Sequence, residues 1–474
     1  MITVNFYKKY NNNNNNNNCC FVQKFYNKVF KYYIDIYNKG KNMKKVVSLF
    51  IAGIFFFSSS TISVIETSIG SSCVLPPPQS VNMTLEESLF RRCSVRIFST
   101  DPVSDQELST ILWAAYGYIN GEKRTVHGIN GIYGAHIYVF KQDAVYKYEP
   151  TNHTLLLFKT GDYRHIAQYV APIVLGLTWD KNISSDENLT GAEIGEIGQN
   201  IQLITNALNL GSVINVGTNF GEVIGLSSNE VAKILIPLGR PKVPYDFKDR
   251  PLVFSLLPRV QYSGMNLTAA IKERNEASSW NGELTRQEEA QLIWSSYGYS
   301  YFLDITKDNF SYHINRHRTV PSAHGYYPLQ MYIVIKSGVY RYIPNIYNPF
   351  IFLNYSKFPY PVVTFLMKIR GRDHRSELAQ ASSQPGIASA PLSIISVLDI
   401  KKTLPTGNEF NISGPEWLWL WYYEAGSSAY NVLLEATAWN LSANIVLPTD
   451  TSAIRSLVRL DENFAPLFIV PVGK

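Results

Sequence analysis

Three arginines and one serine lie within residues 91–96, just ahead of an apolar helix pattern. Arginine guanidinium groups match the oxygens of a phosphate in pairs, and a nearby helix N-terminus adds backbone donors. The stretch therefore favours a site for a fixed anion, most simply a phosphate. The alternative is a solvated basic helix end, which is the commoner reason for such a cluster when nothing else supports a site.

Length and composition narrow the classes of protein that the chain can belong to. A chain of 474 residues is too long for one ordinary core, so two domains are expected. The net charge of +6 is mild and the basic residues are scattered, which argues against a nucleic-acid partner. The four cysteines form no CxxC pair and show no zinc-like spacing with histidine, so no metal site is expected. Cys73 and Cys93 are the pair that an oxidising compartment would join.

The N-terminal part of the chain differs in composition from the rest. Residues 1–42 contain an asparagine run and are predicted to be a disordered segment or an upstream mis-start. Residues 43–66 begin with Met43 and two lysines and continue into an apolar stretch, which predicts a signal peptide or a membrane anchor. Residues 67–82 are predicted to be a linker because they include three consecutive prolines. We therefore expect a protein that is exported, extracellular or membrane-anchored.

The remainder of the chain contains an internal repeat. Five segments recur in the same order, as residues 112–118 and 293–299, 124–126 and 318–320, 145–150 and 339–344, 193–195 and 424–426, and 236–239 and 470–473. A repeat spacing this long is far above the range of solenoid repeats and indicates duplicated domains. The predicted domains are residues 83–247 and residues 248–474.

Within each copy the same succession of elements is predicted. In the first copy an amphipathic helix covers residues 105–116, capped near Ser104, and a strand covers residues 135–140 with a hairpin partner at 145–148. A long helix over about residues 192–208 and a final strand over 232–238 come next. Helices mixed with antiparallel hairpins in this way indicate an α+β domain.

Taken together, these motifs resemble the FMN-dependent nitroreductase superfamily, most closely its SagB-type dehydrogenase branch. Residues 92–96 are similar to the family's Arg-x-Ser-x-Arg start, and residues 112–117 to its Leu-Trp-Ala-Ala-x-Gly helix. Residues 321–325 resemble its Pro-Ser-Ala-Gly loop, and residues 193–200 its Glu-x-Gly…Gln-Asn helix. The resemblance covers both copies, roughly residues 83 to 474.

Proteins of this family are usually dimers that bind FMN in the interface, with both subunits contributing to the site. The resemblance therefore implies an antiparallel-rich sheet packed with helices in each copy, and FMN as the cofactor. The cofactor-binding residues that it implies are Arg92, Cys93, Ser94, Arg96, Gly217, Arg240, Pro321, Ser322, Ala323 and Gly325.

The two copies have lost different parts of this site. Where the first copy has Arg92, Ser94 and Arg96, the second has Arg274, Glu276 and Ser278. The second copy keeps the Pro-Ser-Ala loop at residues 321–325, whereas the first has His127-Gly128-Ile129-Asn130-Gly131 there. A carboxylate repels a phosphate, so the second copy's arginine start is partly degenerate. We expect an intramolecular pseudo-dimer, hence a monomer, with one FMN at a composite site between the copies.

The resemblance implies one of two reactions. SagB-type enzymes dehydrogenate peptide thiazolines or oxazolines, and nitroreductases transfer hydride from a nicotinamide to an electron-poor acceptor, so the substrate is a small molecule or a peptide. Export slightly favours the dehydrogenase, because reduced nicotinamides are intracellular. His324 is a candidate site residue, Glu193 and Glu424 are interpreted as structural, and no catalytic residue is assigned. The alternative function is a degenerate, non-catalytic flavin-fold pair that serves as an exported binding or structural module.

Overall fold

The computed structural model describes residues 72–217, 219–243, 246–247, 253–300, 303–304, 318–344, 362–404 and 412–474. Residues 70–474 cluster as one compact unit. The asparagine-rich segment, the predicted signal or anchor and the start of the predicted linker lie outside the described residues. Among the helices that are described, none combines the length and the apolar character needed to cross a membrane.

The described part of the chain contains strands of two to ten residues. The strands are β1 Ser72–Val74, β2 Tyr118–Ile119, β3 Lys123–Arg124, β4 Ala135–Phe140, β5 Ala144–Glu149, β6 Thr154–Thr160, β7 Ile173–Asp180, β8 Gly211–Ser212, β9 Asn215–Val216, β10 Glu230–Gly239, β11 Asp246–Phe247, β12 Val253–Ser255, β13 Leu303–Asp304, β14 Leu329–Ile335, β15 Gly338–Ile343, β16 Val362–Gly371, β17 Leu392–Asp399, β18 Ser442–Ala443 and β19 Phe464–Gly473.

The strands form two large sheets with closely matching strand orders. The first sheet has the order β1-β6-β5-β4-β7-β10-β8, with β9 also on β10, and the second has the order β12-β16-β15-β14-β17-β19-β18. Neighbours in the first sheet are antiparallel, and so are those of the second except for the parallel pair β12 and β16. This confirms the predicted α+β class with antiparallel sheets. Two small pairs, β2 with β3 and β11 with β13, lie beside them.

Helices separate and cover the sheets. They are α1 Leu85–Arg91, α2 Asp105–Tyr116, α3 Glu187–Ala207, α4 Phe220–Ile224, α5 Leu267–Lys272, α6 Arg286–Tyr297, α7 Arg375–Ala381, α8 Leu418–Ala438 and α9 Thr451–Leu457. One continuous core of buried apolar residues joins α2, α3, α6 and α8 with the inner faces of both sheets.

The local signals in the sequence place several of these elements well. Helix α2 begins after Ser104, which forms a capping box with Glu107, and both α2 and β4 have their predicted bounds. Helix α3 begins five residues before its predicted start, because the Asp186 side chain accepts hydrogen bonds from backbone N–H groups in the first turn of the helix.

The described part of the predicted linker packs against the first sheet. Strand β1 pairs with β6, and Leu75 is buried. The Pro77 carbonyl accepts a hydrogen bond from Gln106 Nε2 at 2.7 Å. Because proline keeps its carbonyl acceptor, a proline-rich stretch can dock along a helix without forming regular structure. Cys73 is exposed and Cys93 is buried, and both are free thiols, so the disulfide considered from the sequence is absent.

Helices α3 and α8, each 21 residues long, cross in backbone contact within the shared core. Glycines make this approach possible. A Cβ atom at Gly195 would overlap the Tyr423 carbonyl, and one at Gly426 would overlap the Ala192 carbonyl. Polar contacts lock the crossing: the Ser427 hydroxyl donates to the Gly195 carbonyl at 2.8 Å. The crossing therefore admits no side chain at these positions.

Replacing Gly195 by alanine is expected to lower the free energy of unfolding by about 1–3 kcal/mol, because the new methyl group forces two backbones apart. Urea or thermal unfolding measures the change. Gly371→Ala is the control, since a Cβ atom there would meet only the Lys368 side chain, at 3.7 Å. Equal stability of the Gly195→Ala protein and the parent would contradict the close crossing.

Candidate functional site

A cavity of about 600 Å³ opens where the arginine stretch after α1 faces the loop before β14. Four stretches of chain contribute most of its wall: residues 92–96, residues 213–216, residues 321–325 and the first half of α8. The cavity thus takes residues from both sides of the crossing between α3 and α8.

The cavity brings together seven of the ten residues that the sequence predicts to bind a cofactor. Those that line it are Arg92, Ser94, Arg96, Pro321, Ser322, Ala323 and Gly325. The other three, Cys93, Gly217 and Arg240, are not part of the lining.

Arg92 ties the two sides of the cavity together. Its side chain is 1% exposed, and its Nε donates to the Arg318 carbonyl at 2.7 Å while a terminal nitrogen donates to Gln202 Oε1 at 3.0 Å. Burial lowers the pKa of the Arg92 guanidinium, but an arginine stays charged in a protein. The wall of the cavity therefore contains a fixed positive charge.

Ser94 and Arg96 extend this donor set towards solvent. The backbone at Ser94 forms a bridge with Ser212, which brings the stretch beside residues 213–216. The Arg96 side chain is exposed. A buried and an exposed arginine with a hydroxyl between them suit an anion that enters from solvent, such as a phosphate.

The loop over residues 321–325 is held in a tight turn. His324 and Gly325 have positive φ angles of 50° and 72°, a region that glycine adopts without strain and other residues adopt rarely. The Tyr327 backbone N–H donates to the Ser322 hydroxyl at 2.8 Å, which closes the turn. The His324 ring is exposed at the cavity.

Three aromatic rings surround a second arginine of the cavity wall. The Arg318 guanidinium carbon lies 4.4 Å from the ring centre of Tyr297, 5.1 Å from that of Tyr299 and 4.7 Å from that of Tyr327. Cation–π contacts of this kind fix a guanidinium without consuming its donors. Its Nε is buried without a hydrogen-bond partner, so one donor remains available at the cavity.

Arg318, Tyr423 and Glu424 line the cavity but were not predicted as site residues from the sequence. Arg318 directly precedes the Thr-Val-Pro-Ser-Ala run, so its position in the motif was the signal that could have found it. Glu424 was interpreted as structural because a glutamate recurs at residue 193. The hydroxyl of Tyr423 and Oε2 of Glu424 are both buried without partners.

The three predicted residues outside the lining have other surroundings. Cys93 packs among apolar side chains, and burial raises the pKa of its thiol to about 12, so it stays protonated. Arg240 forms an ion pair with Glu107 at 2.8 Å, which directs its guanidinium to the start of α2. Gly217 follows the cavity-lining Val216 with a φ of 83°, a conformation that favours glycine.

The corresponding region on the other side of the crossing contains a cluster of charged side chains. Glu276 pairs with β18 through Ala443 as Ser94 pairs with Ser212. Its carboxylate accepts from Arg274 Nε at 2.6 Å and lies 3.2 Å from Lys123 Nζ. Arg274 is 4% exposed and also donates to the Thr125 carbonyl at 2.7 Å. The position that Ser94 has in the first arginine stretch is thus taken here by a carboxylate that contacts Arg274 and Lys123.

The loop beside Glu276 has the same backbone turn as residues 321–325 but different contacts. Asn130 and Gly131 have φ angles of 56° and 69°. The His127 ring contacts Asn444 Oδ1 at 3.0 Å, and the backbone N–H groups of His127 and Gly128 both donate to Glu196. Among the described residues no cluster of three or more His, Cys, Asp or Glu side chains is arranged to hold a metal ion.

Comparison with known proteins bears on this fold and site. Residues 89–240 match the model of the Nitroreductase family. A protein of Methanocaldococcus jannaschii, named "Putative nitroreductase MJ1384", is 30% identical over 199 residues, which are 36% of this chain and 98% of the relative. The crystal structure of a protein described as "a putative nitroreductase" from Anabaena variabilis has a TM-score of 0.60 to this chain at 14% sequence identity. The match covers 86% of this chain and 92% of that one.

The chain therefore belongs to the nitroreductase family, a family of oxidoreductases. The match to the Methanocaldococcus jannaschii protein covers 98% of that relative but 36% of this chain. The solved structure, by contrast, shares the fold over most of the chain.

Replacing Glu276 by glutamine is expected to lower the free energy of unfolding by roughly 1–3 kcal/mol at pH 7, because the buried Arg274 loses the charged acceptor of its hydrogen bond. Burial opposes ionisation of Glu276, but Arg274, His127 and Lys123 together hold its pKa below the ordinary value of 4.5. A depressed carboxyl pKa contributes stability above that ordinary value, and the contribution fades as the pH falls through the folded-state pKa.

The difference between parent and Glu276→Gln should therefore be full at pH 6–7 and shrink below about pH 4.5, as measured by denaturant unfolding at each pH. The exposed Glu462 supplies the control Glu462→Gln, which should change stability little at any pH. A difference that stays constant down to pH 3 would contradict the charge pair.

Proposed function

We propose that the chain is an FMN-dependent oxidoreductase of the nitroreductase or SagB-type dehydrogenase kind, formed by tandem duplication. In this proposal its two halves form an intramolecular pseudo-dimer that holds one FMN in the cavity. The observation that carries the proposal is the composition of the cavity wall. Arg92, Ser94 and Arg96 come from the first half, and the loop over residues 321–325 comes from the second.

The donor set supports an anionic, partly aromatic ligand. The Arg92 charge is fixed by two hydrogen bonds, and Arg96 and Ser94 offer further donors towards solvent. The buried Arg318 Nε and Tyr423 hydroxyl have no partner in the protein, and such orphaned groups are costly unless a ligand or water satisfies them. A volume of about 600 Å³ lies in the range of cofactor pockets.

Duplication is supported by the two sheets, which repeat the same order of six strands from β6 to β8 and from β16 to β18. It is further supported by the matching turns at Asn130-Gly131 and His324-Gly325. Because the halves share one core across α3 and α8, the pairing is intramolecular and we expect the protein to be a monomer.

When bound, FMN supplies the hydride-transfer chemistry. The chain's own residues would bind and orient it: the arginine stretch would hold the phosphate, and the loop over residues 321–325 would contact the ring. The tyrosines around Arg318 exclude water from that end of the cavity. The substrate is a small molecule or a peptide that reaches the exposed side at His324, and the protein is exported or membrane-anchored in this proposal.

We expect the purified full chain to contain about one FMN per chain, quantified by visible absorbance after denaturation. Arg96→Ala should weaken FMN binding roughly 10- to 100-fold, because a hydrogen bond to a charged group contributes about 1.5–3 kcal/mol and each 1.4 kcal/mol is a factor of ten. Binding of riboflavin, which lacks the phosphate, should be unchanged in that variant.

The exposed Arg372, which is not part of the cavity lining, supplies the control Arg372→Ala, and FMN binding should be unaffected there. Ser322→Asp should abolish binding of both ligands because it adds a negative charge at the ring end of the cavity. Two FMN per chain would contradict the single composite site. No binding even when FMN is supplied would favour the alternative function, a non-catalytic binding or structural module.

A further inference from the structure

Two buried glutamates occupy matching positions on the crossing helices. Glu193 of α3 accepts a hydrogen bond from the Tyr116 hydroxyl at 2.5 Å, and Glu424 of α8 accepts one from the Tyr297 hydroxyl. Each tyrosine is the last residue of its helix, α2 or α6. Both glutamates are 1% exposed. In each half, therefore, one carboxyl oxygen is held by a tyrosine.

The second carboxyl oxygen has a hydrogen-bond donor in one half and, among the described residues, none in the other. Glu193 Oε2 accepts the Gly134 backbone N–H at 2.9 Å. Pro328, directly before β14, corresponds to Gly134, directly before β4. The correspondence is seen in a shared hydrogen bond: the Asp399 N–H donates to the Pro328 carbonyl at 3.0 Å, and the Asp180 N–H donates to the Gly134 carbonyl at 2.9 Å. Proline has no N–H to offer. Glu424 Oε2 is accordingly buried without a partner.

The position of Glu424 at the cavity indicates a role for its unpartnered oxygen. Glu424 borders the cavity, whereas Glu193 is not part of its lining. The charged and titratable groups that face it are Arg318, Arg92, Tyr297, Tyr327 and Tyr423, together with the Ser322 hydroxyl. Burial raises the pKa of the Glu424 carboxyl to about 7, against the lowering effect of the hydroxyls and arginines. Below that pH the carboxyl carries a proton, and the Ser322 hydroxyl at the cavity is the nearby side chain, besides Tyr297, that interacts with it.

We propose that Glu424 contacts the ligand of the cavity directly, as a protonated carboxyl whose Oε2 donates a hydrogen bond to an acceptor atom of the flavin ring. The proposal rests on the proposed function, since it takes FMN as the ligand. It assigns different roles to two glutamates that recur in the sequence: Glu193 is a structural anchor, and Glu424 is a binding residue of the cofactor site.

The pH dependence follows from the chemistry of the carboxyl group. As the pH rises through about 7, Glu424 loses its proton, which removes the donor and places a negative charge against the acceptor atom. Flavin affinity should therefore decrease with rising pH. The phosphate of FMN titrates in the same range, so riboflavin, which has none, separates the two effects.

The test measures the dissociation constants of FMN and riboflavin for the full chain by flavin fluorescence between pH 5.5 and 8.5. In the parent, riboflavin affinity is expected to fall at least tenfold across this range. In Glu424→Gln it should be independent of pH, because the amide keeps a donor and does not titrate. Glu193→Gln is the matched control and should keep the parent's profile.

Pro328→Ala tests the same contact from the other side, because it supplies the N–H that Gly134 offers to Glu193. The Glu424 carboxyl then has an internal donor, and riboflavin should bind about tenfold more weakly at pH 6 with a flatter profile. Thermal unfolding establishes that each variant is folded before it is titrated.

The outcomes separate this proposal from the function on which it rests. Absence of flavin binding to the parent at any pH overturns the proposed function. Flavin binding that is independent of pH, or a parent-like profile in Glu424→Gln, overturns only the role of Glu424. Loss of the profile in Glu193→Gln, or parent-like riboflavin binding in Pro328→Ala, overturns it as well.

Discussion

The backbone contact between α3 and α8 is the constraint on which the rest of the structure depends. Because Gly195 and Gly426 carry no side chains, the two helices approach closely enough for polar groups of one to reach carbonyls of the other. That approach places the start of α8, with Tyr423 and Glu424, against the arginine stretch after α1. A wider crossing would separate the two walls of the cavity.

Two buried arginines occupy matching places in the chain but differ in their neighbours. Arg92 donates to the Arg318 carbonyl and Arg274 donates to the Arg124 carbonyl, so each guanidinium joins the two halves in a similar way. The residue two positions further along the chain makes the difference. Ser94 lines the cavity beside Arg92, whereas the Glu276 carboxylate accepts a hydrogen bond from Arg274. Among the described residues, the guanidinium of Arg274 has a carboxylate in direct hydrogen-bond contact, whereas that of Arg92 donates to a carbonyl and an amide oxygen.

Local sequence signals predicted much of this fold, and the contacts that they missed are long-range. The capping box at Ser104, the alternation of β4 and the ordered motifs are all visible in short windows of sequence. The docking of residues 72–82 was missed because it depends on carbonyls meeting side chains of α2. Arg240 was assigned to a phosphate from its place in the motif, but the side chain that it meets, Glu107, lies 133 residues away in the sequence.

The two glutamates show why a repeated residue need not repeat a role. Glu193 and Glu424 occupy equivalent helix positions, and each accepts a hydrogen bond from an equivalent tyrosine. Sequence comparison alone therefore favours one structural explanation for both. The difference lies about a hundred residues upstream of Glu424, where Pro328 replaces a residue with a backbone donor. A hydrogen-bond deficit of this kind is invisible in any motif, because it concerns an atom that proline lacks. It leaves a carboxyl oxygen of a cavity-lining residue unsatisfied, and a buried polar atom in that state is destabilising until a ligand or an ordered water completes its hydrogen bonds.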